Sequence, residues 1–386
     1  MTSVPGRWLA VAAAALLLIG CGGKGAKEIR IGVFGSLTGP TATFGQSMKD
    51  GALLAIEEIN SRGGVLGRQL RPIIEDDQSR PENARNAATK LINRDHVAVL
   101  LGEVASTRSL AAAPVAQENH VPMISPASTN PGVTQRGDYI FRVCFIDPWQ
   151  GEVMARFCLD HLHKRRVAIL TDVRNDYSVG LARYFKQTLE KRGGKVVAEE
   201  SYSEGDKDYV VLLGAIKRAN PEAVFIPGYY GDVALICRQA RQQGINVPLL
   251  GGDGWDAPEL VQIGGQAVEG AYFSNHYVPD DPTPAVRQRV RQFIAAYQAK
   301  YGEIPDAMAV LGYDAAGVMA DAIKRAGKLS GPAIRDALAA TKDFPGVSGK
   351  ITINRERNAV KRAVVVTIRN GQQAYVASYE PTSVEH

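Results

Sequence analysis

Short apolar runs alternate with amphipathic stretches of roughly 10–20 residues along almost the whole chain, and that alternation admits few folds. The clearest instance spans residues 97–129. Residues 97–101 are apolar and end in Gly102, followed by the hydroxyl residues Ser106 and Thr107. A helical pattern follows, and a second apolar run at 121–124 ends in Ser125, Ser128 and Thr129. This reads as strand, turn, helix, strand, turn, with both turns at the carboxyl ends of parallel strands, where open α/β sheets bind ligands. Ser106 suits an N-cap. The helix start behind it offers free amides and a partial positive charge to an anion. The alternative is that Ser106 only caps a helix and Thr129 only closes a turn.

The same grammar runs in both directions from this stretch. Strands are expected at 29–37, 68–75 and 139–145, with helices at 44–59 and 81–94. A second round begins near Asp147, with strands at 166–171, 195–202, 222–227 and 248–251 and helices at 148–162, 177–191, 209–219 and 231–243. The two rounds resemble each other: a first strand, a following aromatic residue (Phe44 or Tyr177), a helix and an R-G-G stop. With 386 residues there is more chain than one core needs. Two α/β lobes facing one cleft are therefore expected. Helices at 283–301, 307–326 and 332–340 should return to the first lobe. The strand-like tail, with its Asn370-Gly371 turn, should join the second. The expected lobes are 28–145 with 277–354 and 146–276 with 355–383. They would be joined by crossings near 143–147, 275–279 and 353–357, a hinge that permits opening while limiting sliding.

Residues 1–21 read as a targeting segment, with Arg7 before an apolar run that is too short to span a membrane and ends Leu18-Ile19-Gly20-Cys21. This ending resembles a bacterial lipobox, which makes Cys21 the lipidated first residue of the mature chain, with 22–27 as a tether. The net charge of +5, one unit of it from Arg7, is too small and scattered for nucleic acid. Cys144, Cys158 and Cys237 are expected as small buried residues, and no spacing of His or Cys suggests a metal. No G-x-G-x-x-G, Walker A or G-x-S-x-G motif is present, and Ser106 has no nearby His or Lys in sequence, so no catalysis and no cofactor are expected.

Four further features point at the cleft. Asp253, in G-G-D-G directly after a strand, suits an ammonium or, alternatively, a tight turn. Tyr177, Tyr229 and Phe44 each follow a strand and would cover an apolar side chain. Trp149 and Trp255 begin helices near the same rim. Asp147, in D-P-W-Q-G, is either an N-cap or a second anchor for an ammonium.

Six segments carry a resemblance to a known family. They are I-G-V-F-G-S-L-T-G-P-T-A-T-F-G, A-I-E-E-I-N-S-R-G-G-V-L-G-R-Q-L, the Asp76-Asp77 pair, L-L-G-E-V-A-S-T, P-M-I-S-P-A-S-T-N-P and R-Q-A-R. Together they resemble the periplasmic leucine/isoleucine/valine-binding proteins, the substrate-binding subunits of branched-chain amino-acid ABC importers, here in lipoprotein form. The resemblance implies a type I periplasmic-binding-protein fold of two doubly wound lobes with three crossovers. It implies a monomer on the periplasmic side of the membrane, held by its lipid and handing an aliphatic amino acid to importer membrane subunits. It assigns Ser106, Ala127 and Thr129 to the ligand's carboxylate and ammonium, and Asp253, where the family commonly has Glu, to the ammonium. Tyr177, Tyr229 and Phe44 would close over the ligand, with Ala105, Asp147 and Trp149 around it. Ala105 and Ser79 stand where some members have a disulfide. Relatives that bind amides, urea derivatives or aromatic acids, and a sensory receptor role, are the alternatives.

Overall fold

A computed structural model describes residues 1–2 and 28–381; the proposed lipidation residue Cys21 and the 22–27 tether lie outside the described residues. The chain begins with β1 (Glu28–Gly35), α1 (Ala42–Ser61), β2 (Gln69–Asp76), α2 (Pro81–Asn93), β3 (Val99–Leu101), α3 (Ser106–Glu118), β4 (Met123–Ser125) and β5 (Ile140–Arg142). These strands form one all-parallel sheet in the order β2-β1-β3-β4-β5. The second round comprises α4 (Asp147–Arg156), β6 (Arg166–Asp172), α5 (Asp176–Lys191), β7 (Lys195–Tyr202), α6 (Val210–Arg218), β8 (Ala223–Phe225), α7 (Tyr230–Gln242), β9 (Leu249–Gly251), α8 (Pro258–Gly264) and β10 (Tyr272–Asn275). Its strands run β7-β6-β8-β9-β10, the same winding as the first sheet. The internal resemblance read from the sequence is therefore a repeated topology, and each lobe has its switch point beside its first strand.

The chain then returns to the first lobe through α9 (Pro284–Tyr301), α10 (Ala307–Ala326), α11 (Gly331–Ala339) and a small antiparallel sheet of β11 (Phe344–Gly346), β12 (Gly349–Ile353) and β13 (Ala359–Val360). It ends with β14 (Ala363–Arg369), which extends the second sheet antiparallel to β10, and β15 (Gln372–Tyr379), which pairs antiparallel with β14 at the sheet edge. Asn370 and Gly371, both at positive φ, make the hairpin turn expected of Asn-Gly. The third crossing falls at 361–362, later than the expected 353–357. Residues 359–360 pair with β12, and Arg357 is tied to the first lobe through Arg142 N–H to Arg357 O (3.2 Å) and Arg357 Nη2 to Thr134 O (3.0 Å). Among the described residues no helix is long and apolar enough to cross a membrane. Cys144, Cys158 and Cys237 are buried free thiols.

The crossings meet in a tight core. Phe145 of the first stacks on His276 of the second, with ring centroids 3.7 Å apart. Lys361 of the third hydrogen-bonds Ser348, which in turn donates to Asp314 of α10 (2.5 Å). Arg362 pairs with Asp281.

Helices α1 and α10 position Phe44 and Met308 on one wall of the cleft, and glycines set their spacing. A Cβ added at Gly51 would lie 1.9 Å from Ala309 O, and one at Gly312 would lie 2.1 Å from Met48 O. Neither neighbour is a side chain that can swing away. Gly312→Val should therefore destabilise the protein by about 1–3 kcal/mol or more in urea unfolding. A variant as stable as wild type would contradict this packing.

Candidate ligand-binding site

At the carboxyl ends of the strands, where the two sheets face each other, nine residues enclose a cavity of about 10 Å³, close to the space of one water. Phe44, Val104, Ser106, Ala127 and Met308 come from the first lobe; Tyr177, Tyr229, Asp253 and Gly254 come from the second. The walls are almost in contact. Phe44 meets the edges of Tyr229 (5.4 Å between centroids) and Tyr230 (4.9 Å), and Tyr177 stacks on Tyr229 at 5.2 Å and 7°. The lining is polar at Asp253 and Ser106 and apolar at Val104, Ala127 and Met308.

Six of the ten expected positions share this cavity: Phe44, Ser106, Ala127, Tyr177, Tyr229 and Asp253. The other four do not line it. Thr129 and Asp147 lie buried just behind it, joined by Asp147 N–H to Thr129 O at 2.9 Å. Ala105 faces an adjoining compartment at the cleft mouth with Thr107, Arg108 and Tyr229. Trp149 packs on the core of the second lobe. Trp255 is likewise internal: it lies under Gly251 and its Nε1 donates to Ile226 O at 2.9 Å. An aromatic residue at a helix start is free to turn to either face, and here both tryptophans turn inward.

Two N-cap expectations also fail. Helix α3 begins at Ser106 itself, with Ala105 in the cap position. The Ser106 hydroxyl instead accepts from Asn130 N–H at 3.2 Å, which ties the two ligand-side turns together. The first amides of α3 therefore lie at the cleft without a side-chain cap. Helix α4 begins at Asp147, with Ile146 in the cap position and no capping hydrogen bond from a side chain.

Asp253 is fixed from behind. Its N–H donates to Gln150 Oε1 at 2.8 Å, and Ser274 Oγ donates to the same oxygen at 2.7 Å. His276 Nε2 lies 3.0 Å from Asp253 Oδ2 and, against a carboxylate, is the donor. Gly254 N–H donates to the Tyr177 hydroxyl at 3.1 Å, which brings that ring to the cavity. Three buried oxygens in this region have no partner: Asp253 Oδ1, Asp147 Oδ2 and the Thr129 hydroxyl. Burial pushes the Asp147 carboxyl up to about 8, and the charge of Asp253 adds to the rise. With Asp147 largely protonated at neutral pH, the pocket offers the Asp253 carboxylate and further unused acceptors, suited to a cationic nitrogen. Gln150, His276, Val104, Gly254 and Met308 escape sequence reasoning. Their one local signal is that Met308 stands in the first turn of a helix whose N-cap, Asp306, is recognisable.

The fold and this two-walled cleft define a class: two-lobed receptors that enclose a small ligand at a hinge. The family described as periplasmic binding protein matches residues 28–373. The chain is 34% identical over 318 residues to the leucine-, isoleucine-, valine-, threonine- and alanine-binding protein of Pseudomonas aeruginosa, covering 82% of this chain and 83% of the relative. It superimposes with a TM-score of 0.87 on a leucine binding protein of Thermotoga maritima, at 42% identity and with 92% of this chain and 99% of the other covered. It also superimposes at 0.87 on the branched-chain amino-acid transporter substrate binding protein LivJ of Streptococcus pneumoniae in complex with isoleucine, at 33% identity and with 92% and 100% covered. The chain belongs to the leucine/isoleucine/valine-binding group of the periplasmic binding protein family.

Burial pushes the His276 imidazole down to about 4, against about 6.5 in an unfolded chain. A base whose folded value is depressed contributes stability above its unfolded value and loses it as the pH falls towards the folded one. Between pH 7 and about pH 4.5, wild type should lose about 2–3 kcal/mol more stability than His276→Gln, which keeps an N–H donor for Asp253. Equal losses in chemical denaturation would contradict a buried neutral histidine.

Proposed function

We propose that this protein is the extracytoplasmic binding subunit of an ABC importer and encloses a branched-chain or other small aliphatic amino acid between its lobes. The observation that supports this most strongly is Asp253, with one oxygen held by His276 and the other unpartnered, across a cavity from the first turn of α3. A zwitterion has the complementary charges. Its carboxylate would take the Ser106 hydroxyl, the amides of α3 and the turn at Ala127. Its ammonium would take Asp253, with Thr129 and Asp147 as further acceptors. The side chain would lie among Phe44, Val104, Met308, Tyr177 and Tyr229.

In this reading the first lobe is 28–145 with 277–360, and the second is 146–276 with 361–381. Closure by hinge motion brings Asp253 and the two tyrosines onto a ligand held by the first lobe. The closed form is what the importer's membrane subunits recognise. Lipid on Cys21 keeps the protein at the membrane, as a monomer. No chemistry on the ligand is part of this function.

A thermal-shift panel of amino acids, short amides and aromatic acids should show its largest stabilisation with leucine, isoleucine or valine. The greatest shift with an amide or an aromatic acid would overturn the ligand class. In calorimetry, Asp253→Ala should weaken leucine binding by about 2–5 kcal/mol, because an ammonium is left unpaired in a desolvated site. Unchanged affinity would remove Asp253 from the ligand.

A further inference from the structure

On each ligand-side turn of the first lobe, the residue after the proposed ligand contact reaches across to the second lobe. Ser106 lines the cavity, and next to it Thr107 Oγ1 accepts from Asp176 N–H at 3.0 Å. Thr129 sits behind the cavity, and next to it Asn130 Nδ2 donates to Asp176 O at 2.8 Å. Two side chains of the first lobe thus grip both backbone polar groups of one residue of the second. Asp176 is the first residue of α5 and directly precedes Tyr177, whose ring lines the cavity.

The grip is preorganised on both sides. Asn130 Oδ1 accepts from Gly132 N–H at 2.9 Å, so the carboxamide is already turned with its Nδ2 outward. Asn130 N–H is held by Ser106 Oγ. On the other lobe, Asn175 caps α5 by accepting from Tyr177 N–H at 3.1 Å, which fixes the position of Asp176. Helix α5 also presents a bare surface to the grip: a Cβ added at Gly180 would come 3.0 Å from Asn130 Nδ2 and 3.2 Å from Asp147 Oδ2. The Asp176 amide is one of the donors that a helix start leaves without an intrahelical partner, and the first lobe supplies that partner.

We propose that Thr107 and Asn130 form a latch on Asp176 that holds the lobes together around the ligand and sets how long the closed form lasts. The latch touches no ligand atom, so Thr107 and Asn130 are positioning residues. It rests on the proposed function in that closure retains a ligand. Because both hydrogen bonds form only once the lobes meet, their loss acts on dissociation and not on encounter.

The test is stopped-flow binding of leucine, isoleucine and valine to wild type, Thr107→Val and Asn130→Asp. Thr107→Val removes the acceptor at constant shape. Asn130→Asp keeps the Gly132 contact and sets an oxygen against Asp176 O. Each variant should release leucine about threefold to tenfold faster, with association unchanged and the affinity order and ratios of the three ligands preserved. Unchanged release, or altered ratios among the ligands, would overturn the latch while leaving the amino-acid reading intact. If wild type bound none of the three, the functional reading would fail and the latch would be read separately by small-angle scattering. The Thr107→Val/Asn130→Asp double variant should then have a larger radius of gyration than wild type, and an equal radius would overturn the latch.

Discussion

A carboxylate buried between two lobes is costly unless it is held and matched, and the organisation of this protein follows from how Asp253 is held. His276 donates to one oxygen, Gln150 accepts from the backbone amide, and Ser274 fixes Gln150. His276 belongs to the second crossing and stacks on Phe145 of the first. The proposed anchor for a cationic nitrogen is thus built into the hinge core and not borne on a loop. Movement about the crossings carries Asp253 with the second sheet while the α3 terminus stays with the first. The cleft is polar at two opposed points and apolar between them, and hinge motion changes the distance separating those points.

Packing defines the rest of the cavity. Glycine contacts between α1 and α10 place Phe44 and Met308 on one wall. The Gly254 amide, bonded to the Tyr177 hydroxyl, places the stacked tyrosines on the other. The repeated winding of the two sheets brings both sets of strand ends to one gap. Each lobe supplies what the other lacks: helix amides and hydroxyls from the first, a carboxylate and aromatic rings from the second.

Much of this is legible in the sequence, because strand ends and helix starts are local events. Ser106, Ala127, Tyr177, Tyr229 and Asp253 each stand just after an apolar run, and a parallel sheet sends all such positions to one edge. What escapes is non-local or depends on one rotation. His276 and Gln150 gain their roles only by meeting Asp253 across 23 and 103 residues of chain. Met308 enters the cleft because α10 returns to pack on α1. Trp149 and Trp255 turn inward, a choice that a position at a helix start leaves open. Ser106 and Asp147 lie one residue inside their helices, which frees the Ser106 side chain for Asn130 and leaves that of Asp147 uncapped. The third crossing comes late because residues 359–360 form a strand too short to show a period.

In the proposed function one zwitterion spans the gap between the α3 terminus and Asp253. A crystal structure of the protein grown with leucine tests it directly. The leucine carboxylate is expected on the Ser106 hydroxyl and the first amides of α3, and its ammonium about 3 Å from Asp253 Oδ1. Leucine bound in the reverse orientation, or bound with its nitrogen out of hydrogen-bonding reach of Asp253, would contradict it.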